Sequence, residues 1–195
     1  MIRILKHGEE EVLSRKDIKT DVEDIVKSII EDVKTNGDTA ILRYCEKFDK
    51  AKLSSLEVSE EEIEAAFAEV DDEYISILKE AKENIYNFHK HQVRNNFVVN
   101  EKDGVILGQK IMPIERVGLY VPGGTASYPS SVLMNCIPAK IAGCPEIIMV
   151  TPPNSEGKIS SVILAAAKIA GVDKIYKMGG AQAIAALAYG TETSK

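Results

Sequence analysis

Cysteine, histidine, surplus basic charge and long apolar runs are all scarce in this 195-residue chain, and each scarcity removes a class of function. The three cysteines, Cys45, Cys136 and Cys144, are odd in number and lack C-x-x-C spacing, which excludes a disulfide framework and a zinc ribbon. Cys136 and Cys144 fall in an apolar helical run, where a thiol packs as a small hydrophobe, and no base for a nucleophile is identifiable beside them. His89 and His91 are two apart, so on a helix they diverge and cannot chelate one metal as an i, i+4 pair does. With His7 alone in a charged N-terminus, all three histidines are expected at the surface. No apolar run reaches the roughly 18 residues of a membrane span, and the opening MIRILKHGEEE has neither an apolar core nor a small-residue cleavage site. No membrane association and a cytoplasmic location are therefore expected. Residues 1–100 carry 15 basic and 23 acidic side chains, and residues 101–195 carry 9 and 7, with no Lys/Arg cluster. A polyanion would be repelled, so no nucleic-acid partner is expected.

What is present is enough apolar sequence, 45%, for a soluble globular protein that buries roughly 70% of its unfolded surface. Residues 20–92 read as four amphipathic helices. Thr20 with Glu23 forms a capping-box pattern before Val22, Ile25, Val26, Ile29, Ile30 and Val33, which share one face of a helix. Asn36-Gly37 ends that helix, and a second starts at Asp38 with Ile41, Tyr44 and Phe48 on its inner stripe. Ser59 with Glu62 repeats the capping box ahead of Ile63, Ala66, Phe67 and Val70. From Tyr74 to about His89, Ile75, Leu78, Lys82, Ile85 and Phe88 recur at intervals of three and four, and only Lys82 is not apolar. Phe97–Val99 and Val105–Ile111, joined through Glu101–Gly104, then read as a β-hairpin.

After Pro113 the pattern alternates as in a parallel sheet. Strands at 117–121, 146–150 and 174–178 precede helices at about 128–142, 158–170 and 181–189. Gly143 and Gly171 stand just past helix ends, and Pro138 interrupts the hydrogen-bond ladder of the first of these helices. Two strand-to-helix turns are glycine-rich. Pro122-Gly123-Gly124-Thr125 follows Tyr120 at a strand's C-terminal end, where ligands bind in open α/β sheets. Gly179-Gly180-Ala181-Gln182 repeats the arrangement after the third strand. Glycines let backbone N–H groups approach a phosphate or ribose, the helix N-terminus adds a positive dipole, and the Gln182 amide would point into the same cleft. Tyr120 could lay its ring against a base or sugar. The bland readings are a tight turn, a helix cap and a half-buried strand tyrosine. Neither GxGxxG nor a GxSxG elbow is present, and Ser127, Ser130 and Ser131 are expected to cap a helix.

RVGLYVPGG, the later AKIAGC, and GGAQAIAALAYGTE occur in this order on one βα frame, and on them the sequence resembles the histidinol dehydrogenases over essentially all of its residues. The resemblance implies an α/β fold: a helical N-terminal segment with a partial Rossmann-like parallel βαβαβα unit, in a truncated aldehyde-dehydrogenase-like architecture. Residues 1–115 would form the first part of a discontinuous domain, and 116–195 a partial NAD-binding domain. It further implies an NAD- and zinc-dependent homo-oligomer, a homodimer, that oxidises L-histidinol to L-histidine through the aldehyde. Tyr120 and Gln182 match the family's NAD contacts, with Gly123, Gly124, Gly179 and Gly180 as backbone turns. The family's PGN asparagine, its zinc ligands and its catalytic Glu-His pair would lie beyond Lys195, so no catalytic or metal residue is assigned and this chain alone is expected to be inactive. Three consecutive parallel strands are few for a covered α/β sheet, so an exposed edge strand, uncovered helix faces and self-association are expected. The alternatives are a related dehydrogenase acting on another alcohol, or a non-catalytic nucleotide-binding or interaction module.

Overall fold

The structure, a computed structural model, describes residues 22–123 and 127–194. His7, Thr20 and Gly124 lie outside the described residues, and with them the first capping box. Helix α1 spans Val22–Tyr44 and breaks at Gly37, whose φ of 48° and ψ of −131° suit only glycine. The second half begins at Asp38 as the sequence suggests, and its N–H donates to Glu192 Oε2 over 2.8 Å. A π-helical turn, Cys45–Asp49, extends α1 and closes on the left-handed Lys50. In α2, Glu60–Glu69, the capping box is complete: Glu62 N donates to Ser59 Oγ and Ser59 N to Glu62 Oε2, both at 3.2 Å. Helix α3, Asp72–His89, starts from Asp71, whose carboxylate accepts from Glu73 N. The polar residue of its apolar stripe has a role: Lys82 Nζ donates to Ile169 O at 2.8 Å.

Strands β1, Phe97–Lys102, and β2, Val105–Gln109, form the expected antiparallel hairpin. Strands β3, Arg116–Tyr120, β4, Glu146–Thr151, and β5, Lys174–Lys177, make a parallel sheet in the order β3-β4-β5, in register from Arg116↔Glu146 and Ile148↔Lys174. Helices α4, Pro129–Ile141, α5, Ser161–Ala170, and α6, Gly180–Tyr189, follow the strands in turn. Gly143 and Gly171 take the left-handed conformation expected past a helix end.

Strand alternation sends side chains to two cores. Ile147, Met149 and Ile175 join α2, α3, α4 and α5 on one face, while Ile148, Val150 and Tyr176 join α1 and α6 on the other. Elements before Arg116 thus cover both faces of a sheet made after it. They also close one edge. Val58 N donates to Ile175 O (2.9 Å) and Lys177 N to Leu56 O (2.7 Å), so 56–58 lies antiparallel along β5. Among the described residues nothing pairs with the outer side of β3.

Parts of the expected inner stripes are not inside. Val22, Ile25, Val26, Phe48 and Phe88 are exposed. Helix α1 packs on α6, which at ten residues is only about 15 Å long, so the first turns of α1 overrun their partner. Phe48 instead stacks on Tyr44, with ring centroids 5.6 Å apart. The expected serine caps are also corrected: α4 takes Tyr128 at its N-cap with no side-chain bond and Pro129 at its first position, and Ser127 Oγ bonds Ser160 Oγ instead. Proline needs no N–H partner there, which removes part of the demand for a cap. All three cysteines are buried. Of the described histidines, His91 is exposed and His89 half-buried, with Nδ1 2.7 Å from Gln92 Oε1.

Candidate functional site

At the C-terminal ends of the three strands the chain leaves the sheet through Pro122-Gly123, Pro152-Pro153 and Gly179-Gly180. Tyr120, the last residue of β3, is half-buried and its hydroxyl accepts a hydrogen bond from Gly180 N at 3.1 Å. This bond joins the two glycine turns. It also occupies one of the N–H groups that α6 leaves without an intrahelical partner, and the Tyr120 hydroxyl retains its own proton to donate.

Pro152 sits between the turns. A Cβ on Gly123 would come within 2.7 Å of Pro152 Cγ, and one on Gly179 within 2.6 Å of Pro152 Cβ. Both positions therefore require glycine by contact with a rigid ring. Gly180 has φ of +64°, and a Cβ there would stand 2.7 Å from Gln182 Oε1. Gln182 is only 2% exposed, folded back over the first turn of α6. Of the residues singled out in sequence, Tyr120, Gly180 and Gln182 are thus brought into one cluster, and Gly123 and Gly179 meet through Pro152. Sequence reasoning passed over Pro152, although its signal was legible: a Pro-Pro pair at the end of the middle strand, β4, level with the two glycine turns.

A cavity of about 250 Å³ opens on this edge, lined by Gly123, Ser127, Thr151, Pro152, Asn154 and Lys158 among others. Asn154 Oδ1 accepts from Glu156 N and Lys158 N, which shapes the β4–α5 loop as a polar shelf beside the N-terminus of α5. A larger cavity, about 720 Å³, lies by the N-terminal end of β5 beneath α2, lined by residues such as Ser59, Lys168 and Lys174. Its size does not make it the better candidate, because the N-termini of α4, α5 and α6 gather at the opposite, C-terminal edge, and the one helix N-terminus at this cavity, that of α2, is already capped by Ser59 and Glu62.

The remaining chemistry near the sheet is structural. Burial pushes the Cys45 thiol up to about 12 and Cys136 to about 11, so neither is a thiolate at neutral pH. Cys45 Sγ donates to Lys177 O at 3.4 Å, and Lys177 Nζ pairs with Glu62 at 2.6 Å, tying the end of β5 to the start of α2. Among the described residues no three His, Cys, Asp or Glu side chains gather as a metal site would require.

The family model for histidinol dehydrogenase matches residues 13–195. The histidinol dehydrogenase of Clostridium acetobutylicum is 56% identical over 168 residues, which cover 86% of this chain and 39% of that protein. That of Listeria monocytogenes is 50% identical over 198 residues, covering 98% of this chain and 46% of the relative. The crystal structure of histidinol dehydrogenase from Elizabethkingia anophelis superposes with a TM-score of 0.89 at 42% identity, over 95% of this chain and 43% of that one. The chain therefore spans less than half the length of these relatives. A family match over nearly every residue, with the same fold in a solved relative, shows that the chain belongs to the histidinol dehydrogenase family.

Proposed function

We propose that this chain forms part of the nucleotide-binding half of an NAD-dependent histidinol dehydrogenase, an oxidoreductase of histidine biosynthesis that converts L-histidinol to L-histidine through the aldehyde. The observation that carries this reading is the Tyr120 hydroxyl bonded to Gly180 N, which joins two glycine turns at the ligand-binding edge of a parallel sheet.

The residues present fit a dinucleotide. Exposed Gly123 and buried Gly179 pack closely on either side of Pro152 where a Cβ would be blocked, and α6 presents its N-terminal dipole to the same edge. Tyr120 and Gln182 would hold NAD, with the turns at Gly123, Gly124, Gly179 and Gly180 admitting it. NAD supplies the hydride acceptor of the reaction. The role of Tyr120 is to orient: its hydroxyl, held by Gly180 N, keeps a proton for one ligand oxygen and fixes the ring against the turn. Gln182, buried against Gly180, offers an amide whose donor and acceptor positions are set before any ligand arrives. Zinc, which the family implies for the full-length enzyme, finds no ligand set among the described residues, and no step is derived through it. In this reading catalysis resides in sequence that this chain does not match, the 195 residues bind NAD weakly and turn nothing over, and the complete enzyme is a cytoplasmic homodimer.

NAD titration followed by amide chemical shifts tests the cleft. Shifts are expected at Gly123, Gly179 and Gly180, and the double substitution Tyr120→Ala with Gln182→Ala should abolish them. Micromolar affinity by calorimetry that survives both substitutions would place the nucleotide elsewhere.

A further inference from the structure

Five polar or charged residues among those described are buried, and they divide into two groups. Lys177 pairs with Glu62, and Thr191 and Ser194 bond each other. Gln182 and Thr151, each 2% exposed, have no side-chain hydrogen bond among the described residues. Gln182 belongs to the cluster with Tyr120 and Gly180, but Thr151 does not. Alternation along β4 puts Thr151 on the face of Ile147 and Met149, the one covered by α4 and α5, whereas Tyr120 and α6 belong to the other face. There Thr151 lines the cavity of about 250 Å³. This cavity and the Tyr120–Gln182 cluster thus lie on opposite faces of the sheet edge, with Pro152 walling the first and packed against Gly179 beside the second. A buried hydroxyl without a partner costs free energy that a bound ligand recovers.

What the cavity offers that ligand is donors. Helix α5 begins at it, and its N-cap Ser160 makes no side-chain cap bond; the Ser160 hydroxyl accepts from Ser127 Oγ at 3.2 Å and keeps its own proton to donate. The first-turn N–H groups of Ser161 and Val162 have no partner among the described residues. Lys158 is the one charged residue of the lining; it is exposed and forms no ion pair among the described residues, and Glu156, two positions away, lies outside the lining. The Asn154 carboxamide oxygen, which would repel an anion, is taken up by Glu156 N and Lys158 N at 3.0 and 2.9 Å. A cation, two hydroxyls and the N-terminus of a ten-residue helix thus surround a space below the roughly 300 Å³ of an ordinary small-molecule pocket. That arrangement suits a tetrahedral oxyanion.

We propose that the cavity at the N-terminus of α5 is a phosphate site, separate from the dinucleotide cleft. The Thr151 and Ser160 hydroxyls, the first N–H groups of α5 and the Lys158 ammonium hold the anion. Its ligand is free phosphate or a phosphate monoester whose organic part stays outside the cavity. The site does not depend on whether the Tyr120–Gln182 cluster takes NAD.

Inorganic phosphate is titrated into the 195-residue chain at constant ionic strength, with chloride as the balancing anion, and amide chemical shifts are followed. Saturable shifts are expected at Thr151, Ser161 and Val162. Lys158→Ala and the nearly isosteric Thr151→Val should each weaken binding about tenfold or more, the loss of one charge-assisted hydrogen bond. Thr151→Ser should keep the parent affinity, and so should Lys174→Ala at the other end of the sheet. Lys158 is exposed, so its variant reads the site even if Thr151→Val does not fold. Shifts that never saturate, or that saturate equally in Lys158→Ala, overturn the site. The double variant Tyr120→Ala with Gln182→Ala is expected to bind phosphate as the parent does; a tenfold loss there would make the phosphate a probe of the dinucleotide cleft and overturn a separate site. A parallel titration with methyl phosphate identifies the source: tighter binding of the ester assigns the site to a phosphorylated small molecule, and tighter binding of the free anion to phosphate itself.

Discussion

At the scale of single residues, the site is determined by what surrounds each side chain more than by its type. Gln182 and Tyr120 are ordinary residues made specific by confinement against Gly180. Asp49 shows the cost of confinement without a partner: its Oδ2 is buried and accepts no hydrogen bond, and burial holds its carboxyl above the usual carboxylate range. A carboxyl with a raised folded pKa keeps a proton that the unfolded chain releases. Stability associated with it is therefore present below the unfolded value, about 4, and is lost as pH rises through the folded value. Asp49→Asn is expected to melt about 1–3 °C higher than the parent at pH 7, since the group is partly solvated and the effect modest, with the difference closing near pH 3. Thermal melts across that range check it; an advantage that persists at pH 3 would point to packing rather than ionisation.

Among the elements, the helices differ in how they are held. Helix α2 carries its own start signal, and Ser59→Ala should cost about 1 kcal/mol in urea unfolding because both halves of the reciprocal cap are present. Such local devices were legible in the sequence: the Ser59–Glu62 box, the break at Gly37, the hairpin turn before Val105 and the strand–helix alternation after Pro113. Each depends on residues within four positions of one another. The misreadings share the opposite cause. Phe48, Phe88 and the first turn of α1 were placed inside because periodicity marks which residues share a face, but not how far the partner helix extends. Lys82 on Ile169 O, Glu192 on Asp38 N, the cover of β5 by 56–58 and the wedge of Pro152 between two turns all join residues 27 to 154 positions apart. No local pattern encodes them. Of the candidate site, the two turns and their polar residues were visible; the contact that unites them was not.

Taken as a whole, the molecule is one cooperative body by construction, since α1 completes one core and α2 with α3 the other, on either face of a single sheet. Urea unfolding followed separately by probes in α1 and in α5 should give superimposable transitions; two resolved midpoints would mean that the helical segment and the sheet unfold independently. The same arrangement sets a schedule for synthesis. Helix α1 leaves the ribosome about 140 residues ahead of α6, the helix it packs against, which at about 5–20 residues per second is roughly 7–30 s. Throughout that interval Ile29, Val33 and Ile41 lack the helix that completes their core, and α2 and α3 wait likewise for α4 and α5. The nascent N-terminal helices are thus natural clients for a chaperone that holds amphipathic segments, and codon usage between α1 and α6 would govern how long it must hold them.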